Sequence, residues 1–286
     1  MIREYDELTL KKIQKIEMMI LKDFMDLCDE HKLRYFGLAG TGIGAIRHQG
    51  FIPWDDDIDI ALPRKDFDQF ITLAKEKLSD KYYILNTEEN PNYPLMTTRL
   101  CLKGTKFRED ALKMVDCPFG IFLDLYVFDN LADDEKFFKK QAWSAWFWSK
   151  ILILRSIPHP VLAFKGVKGS IIQFICACVH YILSGLHISK KWIYHQGLKA
   201  CTKYSTDDTS RIGFLCDTNP FSNMFSTKNL YPLQKLPFED VELTFPKDLD
   251  GHLTYLFGNY MQFPPVEQRK NHYPYELDFG EYDEKI

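Results

Sequence analysis

The chain has 286 residues, of which 45% are apolar and 27% charged, an ordinary globular composition with ample material for a buried core. Seven cysteines without regular spacing argue against a disulfide framework and for free thiols in a reducing compartment, and a net charge of −4 gives no footing for nucleic acid. That small net charge hides an asymmetry: residues 136–206 hold eleven Lys and Arg and no acid, while the rest of the chain holds 40 acids against 25 bases.

Residues 7–31 read as an amphipathic helix, with Leu10, Ile13, Ile16, Ile20, Phe24, Leu27 and Cys28 at spacings of three and four. They are assigned to packing and to no chemistry. The N-terminal residues are charged and lack the apolar stretch of a signal peptide, so a cytoplasmic protein is expected. Residues 33–38 form a short strand, and 39–44 turn into a helix over 41–48. Thr41 is expected to cap that helix, leaving backbone N–H groups at Gly40 and Thr41 aimed outward, a natural seat for phosphate. Arg47 then faces an aspartate or a phosphate, and His48 is structural. Trp54 shields a metal, stacks on a base or packs in the core.

Four carboxylates follow within five positions: Asp55, Asp56, Asp57 and Asp59. From Asp57 the order is acid, apolar, acid, apolar, so in a strand Asp57 and Asp59 share a face and Ile58, Ile60 and Leu62 face a core. Two like charges about 5 Å apart repel by roughly 3 kcal/mol at an effective dielectric near 20. A divalent cation between them removes that cost, and hard oxygen ligands suit Mg²⁺ or Mn²⁺. A calcium loop starting at Asp55 needs Gly where Ile60 stands and a bidentate Glu where Asp66 stands. The spacing of Gly37, Gly40, Gly42 and Gly44 fits neither GxGxxG nor the Walker pattern.

A helix over 66–78 follows Pro63. Residues 82–129 alternate strands with turns: YYILNT, MTTRLCL and GIFLDLYVFD. The last sets Asp124 in an apolar run, where a buried acid needs a partner. Arg99, Lys103 and Lys106 are candidates to face phosphate. Residues 133–205 read as helical, broken at Pro158 and Pro160. Within them 169–189 carry no charged residue, and Trp143, Trp146, Trp148 and Trp192 lie in the same region. Apolar, aromatic and basic residues together suit a helix lying on an anionic membrane; a helical core or a bilayer span are the alternatives. The tail reads as strand–turn–strand over 236–245, a helix over 249–257 ended by Gly258, and an extended run with Arg269, Lys270 and His272 as candidate phosphate or nucleotide contacts.

The segment GTGIGAIRHQGFIPWDDDIDIALPRKDFDQF at 40–70 resembles the signature of the LicD family, the phosphocholine transferases of bacterial surface polymers, with fukutin-type transferases as distant relatives. Pieces at 120–129, 236–246 and 255–272 extend the resemblance over most of the chain except roughly 133–205. It implies an α+β nucleotidyltransferase-type fold, a mixed sheet flanked by helices. It divides the chain into a core over 1–132, a helical basic and aromatic insertion over 133–206, and a completing part over 207–286. It implies Mg²⁺ (or Mn²⁺) held by Asp55, Asp57, Asp59 and Asp124, with Asp57, Asp59 and Asp124 catalytic. Gly40, Thr41, Arg47, Trp54 and His272 would meet the substrate or its phosphates. Gly42 stands where the family usually has a large apolar residue, and Gln49 where Lys is common.

The implied reaction is transfer of phosphocholine from CDP-choline to a sugar hydroxyl of a lipid-linked glycan precursor, of teichoic acid or lipopolysaccharide type. The enzyme would be cytoplasmic and peripheral at the inner face of the membrane. A transferase using CDP-ribitol or CDP-glycerol, or a nucleotidyltransferase, would keep the site and change the substrate. A non-catalytic membrane scaffold would need none of the three acids.

Overall fold

The structure is a computed structural model that describes residues 4–162, 164, 166–269 and 271–284. Helix α1 (Glu7–Glu30) starts where the Asp6 carboxylate accepts the Thr9 N–H at 2.9 Å. Its stripe Ile13, Ile16, Ile20, Phe24, Leu27 and Cys28 is buried, as the 3–4 spacing requires. Strand β1 (Phe36–Gly37), helix α2 (Ala39–His48), strand β2 (Asp59–Pro63) and helix α3 (Arg64–Lys77) follow. Then come β3 (Tyr82–Leu85), β4 (Thr98–Leu102), β5 (Lys106–Glu109) and β6 (Phe122–Asn130).

Three helices come next: α4 (Glu135–Ser156), α5 (Gly166–Gly185) and α6 (Lys190–Cys201), with Pro158 and Pro160 in the break between the first two. Strands β7 (Arg211–Phe214) and β8 (Asn223–Ser226), the single turn α7 (Thr227–Leu230), the hairpin β9 (Gln234–Phe238) and β10 (Val241–Phe245), helix α8 (Leu249–Phe257) and strand β11 (Pro274–Asp278) complete the order.

The main sheet has seven strands, running β1-β2-β6-β4-β3, with β7 and β8 added along the end of β6. Only β2 and β6 pair in parallel. This is the expected mixed sheet of an α+β protein. Period-two alternation sorts its residues between two cores. Ile58, Ile60, Leu62, Leu123, Leu125 and Val127 enter a large core with α1 and α3. Phe36, Ala61 and Phe128 enter a second core with Phe138, Ala142 and Ala145 of α4. The acids Asp59 and Asp124 share the parity of that second side, at its edge.

Two expectations shift. The strand expected over 33–38 shrinks to Phe36–Gly37, which pair only with Ala61 and Ile60. The acidic strand begins at Asp59, so Asp57 lies on the approach to it rather than within it. The hairpin β9–β10 and α8 cover α2: a Cβ on Gly42 would stand 3.0 Å from Leu249 Cδ1 and 3.6 Å from Leu253 Cδ2. That close packing accounts for glycine where the family usually has a large apolar residue. Finally β11 pairs with β5, Leu277 opposite Phe107, which brings the C-terminal segment and its His272 back to the head of the sheet.

Candidate active site

Strand register builds the floor of the site. In the parallel pair, Asp59 of β2 stands beside Asp124 of β6; in the antiparallel pair, Arg99 of β4 stands beside Asp124 on its other side. The three side chains therefore form a row across strands about 4.8 Å apart. Arg99 is 3% exposed, its Nε 3.2 Å from Asp124 Oδ1 and its Nη2 on Glu109. Burial works against that guanidinium, but Asp124 and Glu109 outweigh it and hold the charge firmly. For Asp124 the balance runs the other way: burial raises its pKa despite Arg99. Tyr126, two residues along the same face of β6, lies close enough to oppose the rise of the Asp59 carboxyl.

The acidic loop closes over this floor against the start of α2. That helix begins at Ala39, with Leu38 as its cap residue, so Thr41 lies inside the first turn instead of capping it. The Thr41 hydroxyl instead accepts the Asp59 N–H at 2.9 Å, which locks the helix start to the first residue of β2. Asp55 lies directly over Gly40, where a Cβ would come within 2.7 Å of its Oδ2. A carboxylate suits that place, since the first N–H groups of a helix lack intrahelical partners and carry partial positive charge. Burial first, and the neighbouring acids second, raise Asp55 and Asp59 well above the usual carboxylate range. Burial raises Asp57 too, with His272 opposing.

Asp56 does something different from its neighbours. It is fully buried and accepts the Tyr5 hydroxyl and the His272 backbone N–H, the latter at 2.8 and 3.0 Å. It thus ties both chain ends to the loop. The His272 ring, itself half exposed, sets Nδ1 3.4 Å from Asp56 and 3.3 Å from Asp57. Asp57 raises its pKa well above the ordinary histidine value, which favours a positive ring beside the acids. Among the described residues, Asp56, Asp57 and His272 are the group whose potential ligand atoms all lie within 4.8 Å of one another.

One residue of the site was assigned to packing. Glu17 of α1 is 1% exposed, its Oε2 has no hydrogen-bond partner, and it faces the acidic loop. Burial raises its pKa, followed by Asp57, Asp56 and Asp55. A signal existed: Glu17 is a charged residue inside the apolar stripe, four positions after Ile13 and three before Ile20.

Other expected contacts lie elsewhere. Arg47 pairs with no acid among the described residues: its Nη1 donates to the Tyr260 carbonyl at 2.7 Å, its Nε to His48 at 2.9 Å, and its guanidinium lies 4.6 Å from the Phe263 ring centre. Trp54 holds the Arg269 guanidinium over its ring at 4.2 Å. Tyr5, Trp54, Arg269 and Asn271 line a cavity of about 270 Å³. A second cleft, about 940 Å³, runs along α1 past Gln14 and Met18. Neither is lined by the loop's carboxylates. Lys103 donates to the Ser79 carbonyl and Lys106 to Glu276, whereas Arg99 does reach the acids. Lys270, a candidate contact, lies outside the described residues. Gln49 ends α2, about 13.5 Å along the axis from Gly40 at 1.5 Å per residue, at the end of the helix away from Asp55.

Asp56, Asp57 and His272 offer ligand atoms close enough for a divalent cation, whereas the expected ligands Asp55, Asp59 and Asp124 lie outside that group, near enough for Asp57 to raise Asp55 and Asp59 and for Asp124 to raise Asp57. Glu17 adds an orphaned oxygen behind them.

The sequence is similar to that of known proteins. Residues 32–93 match the family model described as LicD/FKTN/FKRP, nucleotidyltransferase domain. Over 285 residues the chain is 26% identical to the lipopolysaccharide cholinephosphotransferase LicD of Haemophilus influenzae, covering 93% of this chain and 97% of that protein. An uncharacterised protein of Rickettsia typhi is 38% identical over 111 residues, 39% of this chain and 35% of its own length. One of Rickettsia prowazekii is 43% identical over 47 residues, 16% and 18% of the respective chains.

Proposed function

We infer that this chain, LicD-like over nearly its whole length, is a phosphocholine transferase that takes the group from CDP-choline and places it on a sugar hydroxyl of a surface-glycan precursor of lipopolysaccharide or teichoic acid type. The observation that carries the reading is the row Asp59, Asp124, Arg99 beneath the Asp55–Asp57 loop, within a chain similar end to end to a cholinephosphotransferase.

Phosphoryl transfer asks a protein mainly to position the reactants and neutralise charge. In this reading the fold is of nucleotidyltransferase type, with residues 133–206 inserted into a catalytic domain made of 1–132 and 207–286. Asp57, Asp59 and Asp124, with Asp55 beside them, hold Mg²⁺ or Mn²⁺. When bound, that ion supplies charge neutralisation at the diphosphate and at the departing CMP oxygen. The Gly40–Thr41 turn holds a phosphate oxygen with its free N–H groups. The acceptor hydroxyl oxygen attacks the phosphorus of the choline phosphate, the bond to the CMP oxygen breaks, and the hydroxyl proton passes to Asp124, whose orientation Arg99 fixes. His272 supplies positive charge beside Asp57 as phosphate charge shifts. Trp54 already carries a guanidinium on its face, and a quaternary ammonium is attracted to such a face for the same reason.

The donor is tested by thermal shift in Mg²⁺ with CDP-choline, CDP-glycerol and CDP-ribitol in parallel. Stabilisation by CDP-choline above the other two is expected. Stabilisation by CDP-glycerol or CDP-ribitol alone overturns the choline assignment and keeps the site.

A further inference from the structure

The exposed side of α5 is built like a core. Val167, Ile171, Phe174, Ile175, Ile182 and Leu186 recur at spacings of three, four and seven, and each is 53–79% exposed. In a helix these spacings make one continuous stripe. Of the helix's most apolar 18 residues, 6% are buried, and the mean hydropathy there is 1.5. An isolated exposed Leu needs no explanation, but a stripe of this length on one helix does. Trp143 and Phe147 of α4 and Trp192 of α6 are each at least half exposed on the neighbouring helices.

The opposite side of α5 is fastened to the protein along its length. Gln173 Nε2 donates to the Pro160 carbonyl at 3.2 Å, His180 Nδ1 lies 2.9 Å from the Leu154 carbonyl, and Arg155 Nη1 donates to Ser184 Oγ at 3.2 Å. These bonds lay α5 against α4. A helix that crossed a bilayer would carry Arg155 and its polar contacts into hydrocarbon, which is costly. A helix lying in the interface keeps them on the water side while its stripe enters the lipid.

Charge selects the occupant. The 71 residues 136–206 contain no acid. Exposed Lys136, Lys139, Lys140, Lys168, Lys199 and Lys203 form no ion pair among the described residues. Elsewhere the surface is acidic. Basic side chains beside an apolar, aromatic-flanked stripe match the surface of an anionic bilayer, where each Lys near the surface adds attraction that salt screens.

We propose that the outward stripe of α5, with the exposed lysines of α4 to α6, docks the protein in the plane of an anionic lipid surface. The proposal stands apart from the phosphocholine reading and would give that reading a route to a lipid-linked acceptor. Lys165, which also flanks α5, lies outside the described residues.

The test is co-sedimentation of the full chain with vesicles, one set of phosphatidylcholine alone and one containing phosphatidylglycerol, at low and high salt. Phosphatidylglycerol vesicles should pellet the wild type, salt should weaken this, and F174D/I182D should cut the partition coefficient about tenfold or more. K139E/K140E should lose the preference for anionic vesicles. Both pairs are exposed, and thermal unfolding checks that each variant folds. No pelleting of the wild type, equal binding to both vesicle sets, or unchanged binding of F174D/I182D overturns the proposal. So does a wild-type dimer in light scattering that the same variant dissolves without any vesicle binding, since a second copy would then cover the stripe.

Discussion

Arg99 shows how much of the site rests on one side chain. It is buried between Asp124 and Glu109, so Arg99→Met leaves two acids without their cation. Breaking a buried pair in this way costs about 3–5 kcal/mol, and a fall of that size in the free energy of denaturant unfolding is expected; an unchanged midpoint would mean the pair contributes nothing. Glu17 is the opposite case, an acid with no counter-ion. Glu17→Gln keeps its shape without its charge. Near pH 6 it should change stability by about 1 kcal/mol or less, and above neutral pH it should be the more stable protein, because burial has raised the wild-type pKa. Chemical denaturation of both at two pH values decides this. The period-two pattern placed Asp59 at the head of its strand, but it carried the strand too far back, since Asp57 lies on the approach to β2. Asp124 alone in an apolar run was not decisive; the family resemblance singled it out. The roles of Asp56 and Glu17 were hidden, since a run of three acids does not say which one faces inward.

At the scale of elements, the site depends on a helix start placed against a loop. Gly40 is there because Asp55 occupies the space of a side chain. Gly40→Ala should therefore displace Asp55 with the fold intact: unchanged circular dichroism and about tenfold weaker Mn²⁺ binding by electron paramagnetic resonance, roughly one carboxylate interaction. Full Mn²⁺ affinity in that variant would show Asp55 to be dispensable. Helices α1 and α3 were legible because their faces repeat at three and four. The pairing of β5 with β11 was not, since its partners are separated by about 165 residues and no local pattern specifies that distance. That pairing brings in His272, which the sequence offered as a candidate contact without showing that it would stand beside Asp56 and Asp57. The short strands β7 and β8 escaped because four residues are too few to establish a period.

For the whole molecule, the balance of charge sets how stability responds to pH and metal. Asp55, Asp59 and Glu17 have folded-state pKa values raised above their unfolded ones, chiefly by burial. Such groups stabilise the fold fully below the unfolded carboxylate range and lose that contribution as pH rises through the raised values. His272, also raised, adds a contribution of the same sign. Metal-free protein should therefore lose thermal stability from about pH 5 to about pH 8. Mg²⁺ binds the deprotonated acids and should flatten the decline, and EDTA should restore it. A metal-free midpoint that rises over this range would contradict the electrostatic account.

The most direct test of the central claim is CMP release from CDP-choline in the presence of a glycan acceptor extract, with Mg²⁺ and with EDTA, for the wild type and Asp59→Asn. The account predicts release by the wild type in Mg²⁺, abolished by EDTA and reduced by about a hundredfold or more in the variant, the loss expected for a group that neutralises charge in the transition state. Release that survives both EDTA and Asp59→Asn would contradict it.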